Sequence, residues 1–174
     1  MNVDEAIRSK RAIRRFSATP LSEGILLRIL RAGRRAQSSK NTQPWQFIVL
    51  RDPERLLALS RLGQYADHLA GAPVGVVIIT PDPKQRWSIL FDAGQAAAYM
   101  QLAAWEQGVG SCLATIYDTD EARNFLHFPS DWEAHVALSF GFPAEPEEMS
   151  RPLRPGGRKP PDELFHFEEW GRRT

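Results

Sequence analysis

The sequence predicts a single α+β domain spanning residues 1–174. Four short apolar runs, bounded by Gly, Pro or polar residues, have the length and composition of core strands. About five other segments carry helix-capping residues or apolar residues at helical spacing. A chain of this length can bury its own core, and its 43% apolar and 25% charged residues are ordinary for a globular protein.

The N-terminal third predicts two helices and one strand. Asn2 and Glu5 form a capping pair that opens a short helix to about Lys10, and Ser22 caps a second helix. The second helix has one apolar face, since its apolar residues and a glycine recur three or four positions apart: Ile25, Leu26, Ile29, Leu30 and Gly33. A strand from about Trp45 to Leu50 follows.

The rest of the domain predicts three helices and three strands. Pro53 after Asp52 suits the first position of a helix that runs to about Leu62. Asp118 begins the last helix of the domain. The apolar runs predict strands over residues 74–80, 111–117 and 134–140.

Residues 87–107 predict one long helix with little polar surface, because alanines dominate it. A helix so apolar and small-sided is buried against close neighbours. It is either a helix of the chain's own core or the seam of a dimer, and the pattern does not separate the two.

From residue 143 onward, prolines are frequent and apolar periodicity is weak. This segment nevertheless ends in Leu164, Phe165, Phe167 and Trp170, which need a covering surface. We therefore expect residues 143–174 to form an extended tail that wraps a partner subunit.

Composition excludes several classes of function. The net charge of +1 argues against general nucleic-acid binding, and no apolar run approaches the length of a membrane helix. One cysteine cannot form an intrachain disulfide, so we expect a cytoplasmic protein. The four histidines show no ligand spacing, so no metal site is expected, and motifs for hydrolysis and for nucleotide-phosphate chemistry are absent. If the protein is an enzyme, a cofactor supplies its chemistry.

Two segments suit such a cofactor. Residues 1–40 hold ten Lys or Arg against three acidic residues, and Lys10, Arg11 and Arg14 are candidates for binding an anion. Residues 38–43, here called the polar loop, supply hydroxyls and amides for a heteroaromatic ring and lead into the first strand. Alone, the loop is equally consistent with an ordinary connection between helix and strand.

Together these segments resemble the nitroreductase family of flavin mononucleotide (FMN) enzymes over nearly the whole chain. Five motifs carry the resemblance in the right order: Lys10-Arg11-Ala12-Ile13-Arg14, Ser38-Ser39 with Asn41 and Gln43-Pro44-Trp45, Asp92-Ala93-Gly94-Gln95-Ala96, Gly108-Val109-Gly110-Ser111-Cys112, and Arg158-Lys159-Pro160. The resemblance implies a mostly antiparallel sheet of four to five strands flanked by helices, in an intertwined homodimer.

The resemblance also implies which residues bind FMN. Lys10, Arg11 and Arg14, with Ala12 between them, would hold the phosphate and the N1–O2 edge of the ring. Arg158 and Lys159 would complete the phosphate site from the tail. The contacts to the ring itself would come from two segments, the polar loop of the second subunit and the strand at the N5 side: Ser38, Ser39, Asn41 and Gln43, and Leu113, Ala114, Thr115 and Ile116.

Three residues depart from the family pattern, and one segment is short. Ala12 replaces a common Ser, Gln37 replaces a common Pro, and Ile116 replaces a common Gly, which we expect to narrow the space over the ring. The helical insertion that caps the site in larger members is absent or reduced to residues 81–91. Substrate preference therefore does not transfer.

The function implied by the resemblance is ping-pong hydride transfer from NADH or NADPH, through flavin N5, to a small acceptor such as a nitroaromatic, quinone or enone. No side chain is expected to be an obligatory catalyst. Two alternatives remain open: a non-enzyme that stores or senses flavin, and a relative that dehalogenates or fragments the flavin.

Overall fold

The computed structural model describes residues 1–152 and 157–173. Six helices occur in these ranges, and four of them begin at side-chain caps predicted from the sequence. The caps are Asn2, Ser22, Asp52 and Asp118. The helices are α1 (Val3–Ser9), α2 (Glu23–Arg34), α3 (Pro53–Ser60), α4 (Ile89–Glu106), α5 (Thr119–Leu126) and α6 (Pro161–Leu164).

The described residues form one antiparallel sheet of four strands in the order β1-β2-β4-β3, which confirms the predicted fold class. The strands are β1 (Gln46–Leu50), β2 (Val74–Pro81), β3 (Gly110–Thr115) and β4 (Trp132–Gly141). The two central strands are β2 and β4, so β1 and β3 form opposite edges.

Each face of the sheet carries its own core. On one face, α2 and α4 pack on side chains such as Val76, Leu138 and Phe140. On the other face, α3, α5 and their connections pack on Val77, Ala137 and neighbouring residues. Helices therefore cover both faces of the sheet. A functional site is expected at the edges of the sheet and at the ends of the helices.

Helix α4 has both a core face and an exposed apolar face. Ala96, Ala97 and Met100 are buried in the chain's own core, while Leu90 and Phe91 are 47% and 64% exposed. The burial predicted for this helix is thus found in the chain's own core, and a role of its exposed face as a dimer seam remains a prediction. None of the helices in the described ranges is long and apolar enough to cross a membrane.

The tail, in its described part, contains the short helix α6 and several turns, so it is not extended throughout. Leu164, Phe165 and Trp170 are exposed in the single chain. The prediction that residues 143–174 wrap a partner stays a prediction, and residues 153–156 of that range lie outside the described residues.

Candidate functional site

The basic segment, residues 10–14, lies along the open edge of β3. Its backbone pairs with the strand at a parallel bridge between Ala12 and Ser111, where the Ile13 N–H donates to the Ser111 carbonyl at 3.1 Å. The Ile13 side chain is 1% exposed and anchors the segment. Gly110 permits this approach, because a Cβ there would lie 2.6 Å from the Ile13 Cβ.

Lys10 and Arg14 form the cationic part of this segment. Burial lowers the pKa of Lys10, the nearby Cys112 thiol opposes that change, and the charge of Arg14 adds to the lowering. Neither side chain has a hydrogen-bond or ion-pair partner among the described residues. Two neighbouring cations without a counter-charge favour an anionic ligand.

Arg11 has a structural contact as well as a place in a pocket. Its Nη1 donates to the carbonyls of Arg8 at 2.9 Å and Ser9 at 2.6 Å. These carbonyls at the C-terminal end of α1 thereby gain the hydrogen-bond donor that the helix itself does not provide. Its Nε is buried and has no partner among the described residues. Arg11 lines a pocket of about 260 Å³ together with Ala12, Ile13, Glu148, Arg151, Pro152, Gly157 and Arg158. The structure thus places Arg11 and Arg158 in one pocket, and their binding of a phosphate stays a prediction.

Glu148 is an acidic residue in this pocket, and it offsets part of the positive charge there. This buried carboxylate lies 3.2 Å from Arg15 Nη2 and 3.9 Å from Arg151 Nη2. Arg11 and Arg158 have no ion-pair partner in the described parts of the chain, so they remain for a phosphate.

The sequence predicts Arg158 and Lys159 as phosphate ligands from the tail, but Arg151, which precedes Pro152 in the same basic run, also lines the pocket and was not predicted. Lys159 does not line the pocket, and its Nζ lies 4.0 Å from Glu163 Oε2.

Backbone geometry divides the predicted residues of β3 into two sets. The Ile116 N–H points toward β4, where it donates to the His135 carbonyl. The Ser111 carbonyl points away from β4, toward the Ile13 N–H. Since this direction alternates along a strand, Leu113 and Thr115 present their N–H groups on the side away from β4. Residues 62–63 lie beside Thr115 on that side, because a Cβ at Gly63 would lie 2.2 Å from the Thr115 carbonyl oxygen. The two N–H groups are suitable donors for the polar edge of a ring.

Side chains in β3 alternate as well. Leu113 is 40% exposed, whereas Ala114 and Ile116 are buried in the core on the other face of the sheet. Ile116 therefore does not lie on the exposed face of Leu113, and narrowing of the space over the ring by Ile116 stays a prediction.

The polar loop has an unusual backbone. Lys40, Asn41 and Gln43 all have positive φ, between 48° and 54°, which costs on the order of 1 kcal/mol for a residue with a side chain. The Ser38 hydroxyl accepts the Gln43 N–H at 2.9 Å and the loop continues into buried Pro44 and Trp45. Strain of this kind is retained where surrounding contacts hold it, often at ligand sites.

One chain does not bring the two predicted halves of the site together. The polar loop precedes β1, whereas the basic segment borders β3 at the other edge of the sheet. Three strand spacings separate these edges, about 14 Å. Among the described residues, no hydrogen bond or ion pair joins the loop to residues 10–14.

A buried histidine packs against the central strand β4. His68 is 6% exposed, and its Nδ1 lies 2.8 Å from the Ser139 hydroxyl. Burial lowers the pKa of His68, and the charge of Arg14 lowers it further. The ring is therefore neutral at physiological pH and links the segment before β2 to β4.

Comparison with known proteins agrees with this geometry. The family model described as Nitroreductase family matches residues 7–66 and 55–142. A protein of Archaeoglobus fulgidus, named for NADH dehydrogenase or NAD(P)H nitroreductase activity, is 30% identical over 94% of this chain and 96% of its own length. An NADH dehydrogenase of Thermus thermophilus is 29% identical over 83% of this chain and 88% of its own.

Among solved structures, an FMN-dependent nitroreductase of Clostridium difficile is 28% identical, with a TM-score of 0.84. The match covers 97% of this chain and 100% of the other. Family model, relatives and fold therefore agree, and the chain belongs to the nitroreductase family.

Proposed function

We propose that the protein is an FMN-dependent oxidoreductase that passes a hydride from NADH or NADPH to a small acceptor in a ping-pong cycle. The acceptor class we propose is a nitroaromatic, quinone or enone. The observation that carries the proposal is the pair of uncompensated cations, Lys10 and Arg14, beside the open edge of β3. Family membership supports an oxidoreductase.

The residues present fit FMN. Arg11 and Arg158 share a pocket, and the buried, unpartnered Nε of Arg11 is a donor that a phosphate oxygen would satisfy. The edge of β3 offers N–H groups at Leu113 and Thr115 for a ring that carries carbonyl and imine acceptors.

In the proposed mechanism, the protein supplies charge, orientation and a dry surface. When bound, FMN supplies the hydride relay between nicotinamide and acceptor. Lys10 and Arg14 would place positive charge beside bound FMN and so stabilise an anionic reduced ring. The partly exposed Leu113 side chain would offer an apolar contact to the ring and exclude water there. We assign no side chain as an obligatory acid or base, and we propose no metal.

We further propose that the working form is a homodimer with two sites at the subunit interface. The polar loop and the basic segment lie at opposite edges of one chain, so a second copy has to supply the missing half. The exposed apolar face of α4 and the exposed aromatic residues of the tail would be covered in such a dimer. A cytoplasmic location stays a prediction from the single cysteine.

Reconstitution tests the function. The protein is incubated with FMN, separated from free flavin and examined by visible absorption; NADH and NADPH oxidation is then followed with a nitroaromatic, a quinone and an enone. We expect stoichiometric FMN and acceptor-dependent oxidation of at least one nicotinamide. Bound FMN without turnover of any acceptor would instead identify a flavin-binding protein that is not an enzyme.

A further inference from the structure

Four groups around the polar loop form a closed polar cycle, here called the bracket. Asp92 Oδ1 accepts the Ser39 N–H at 3.1 Å, and the Ser39 carbonyl accepts the Thr42 hydroxyl at 3.0 Å. The Thr42 oxygen accepts from Arg86 Nη2 at 2.7 Å, and that nitrogen lies 3.9 Å from Asp92 Oδ2. The bracket thus joins the start of α4 and the turn before it to the loop.

Fold stability alone does not explain the bracket. Asp92 is 4% exposed, and its Oδ2 is buried without a hydrogen-bond partner among the described residues. A position in the first turn of α4 suits its charge, but the helix dipole gives no reason to bind Ser39. Its ion-pair partner Arg86 is 36% exposed and lies 3.9 Å away, and a partly solvated pair of this kind adds little to stability.

The bracket holds the part of the loop with the least favourable backbone. Lys40 and Asn41, both with positive φ, lie between Ser39 and Thr42, which are fixed from both sides. Only the backbone of Ser39 takes part, so its hydroxyl remains for a ligand. The exposed Asn41 side chain accepts from Gln43 Nε2 at 3.3 Å through its Oδ1, so its amide N–H groups remain for a ligand. A small shift of a positioned donor weakens binding markedly, so such support is needed where a loop forms a site.

From this geometry we propose that Asp92, Arg86 and Thr42 are positioning residues, which hold the polar loop in the conformation that binds the flavin ring. This inference rests on the proposed function, since it assigns FMN as the ligand of the loop. None of the three residues needs to touch FMN.

Thr42→Val is the main test, because Thr42 is exposed and valine has nearly the same shape but no hydroxyl. Thr42→Ser restores the hydroxyl. Hydrogen exchange of the segment 38–45 is measured in the FMN-free protein, and FMN dissociation constants are measured by fluorescence titration. For Thr42→Val we expect exchange and the dissociation constant each to rise about fivefold or more, because one neutral hydrogen bond is worth about that factor and the hydroxyl also accepts from the charged Arg86. Thr42→Ser should be close to wild type.

Asp92 gives a second comparison. Asp92→Asn keeps a side-chain oxygen that can accept the Ser39 N–H, whereas Asp92→Ala removes both carboxylate oxygens. The Asp92→Asn protein should therefore bind FMN more tightly than the Asp92→Ala protein. Asp52→Ala is the matched control, because Asp52 also accepts a backbone N–H, from Arg55 at 2.9 Å, but at α3. It should lower thermal stability and leave the FMN dissociation constant unchanged.

The outcomes are separable. Wild-type protein that fails to bind FMN refutes the proposed function. If the wild type binds FMN, but Thr42→Val has wild-type exchange or wild-type affinity, the bracket has no positioning role. The same conclusion follows if Thr42→Ser behaves like Thr42→Val, because the hydroxyl would then not be the cause.

Discussion

The basic segment and the polar loop are held in place by different kinds of contact. Residues 10–14 are fixed by main-chain pairing with β3 and by the buried Ile13, and the side chains of Lys10 and Arg14 have no polar partner within residues 1–152 and 157–173. The polar loop is fixed by side chains, among them Asp92 and Thr42. A segment that is held by main-chain hydrogen bonds keeps its position when most of its side chains are replaced. A loop that is held by side-chain hydrogen bonds loses part of its support whenever one of those side chains is replaced.

The largest expected effect comes from separating the basic segment from the sheet. Gly110→Ala places a Cβ against the branched Cβ of Ile13, which cannot rotate away, so the segment must move. We expect a loss of about 1–3 kcal/mol in the free energy of unfolding, with weaker FMN binding. Denaturant unfolding and FMN titration measure the two effects.

Gly24→Ala is the control for this substitution, because a Cβ at Gly24 in α2 meets nothing within 4 Å. It should raise stability by about 0.5–1 kcal/mol. Equal stability of the two variants would show that the close approach of residues 10–14 to β3 does not matter.

Arg14→Ala tests the cationic pair without disturbing the backbone. Loss of a charged hydrogen-bond donor should weaken FMN binding about tenfold or more and lower the reduction potential of the bound flavin. Arg8→Ala, in the exposed part of α1, serves as the control. Wild-type affinity and potential in Arg14→Ala would remove this residue from the site.

Arg158→Ala should have a smaller effect, because exposed charges are screened by solvent. We expect FMN affinity to fall about threefold to tenfold and to depend less on salt. Lys159→Ala is the comparison, since Lys159 lies near Glu163 and does not line the pocket. A larger loss in Lys159→Ala than in Arg158→Ala would reverse the assignment.

The smallest effect concerns His68 beside β4. Burial, and then the charge of Arg14, lower its pKa from the usual 6.5, so below pH 6.5 the unfolded chain binds the proton more readily than the folded one. Stability should therefore fall as the pH drops from about 6.5 through the lowered pKa, and less so in His68→Asn. Thermal midpoints across this range check it, and identical pH dependence in both proteins would contradict it.

Local signals in the sequence account for most of the fold. Capping residues such as Ser22 and Asp118 act on backbone within their own helix, so their role is legible without a structure. The free cations of the basic segment were predictable for a similar reason, since a short motif contains them.

The support of the site was not predictable in this way. Asp92 resembles an ordinary acidic residue of a first helical turn, and its partner Ser39 lies 53 positions away. Likewise, the place of Arg151 in the pocket that Arg158 also lines depends on how distant segments meet. The proposed meeting of the polar loop and the basic segment across two subunits was implied by the family resemblance and not by any local pattern.

The most direct test of the central claim is the stoichiometry of FMN on the reconstituted wild-type protein, measured from its visible spectrum together with its mass in solution. We predict one FMN per chain on a dimer, with a flavin spectrum shifted from that of free FMN. A protein that remains colourless after reconstitution, or a monomer that binds FMN fully, would contradict the claim that two chains complete the site.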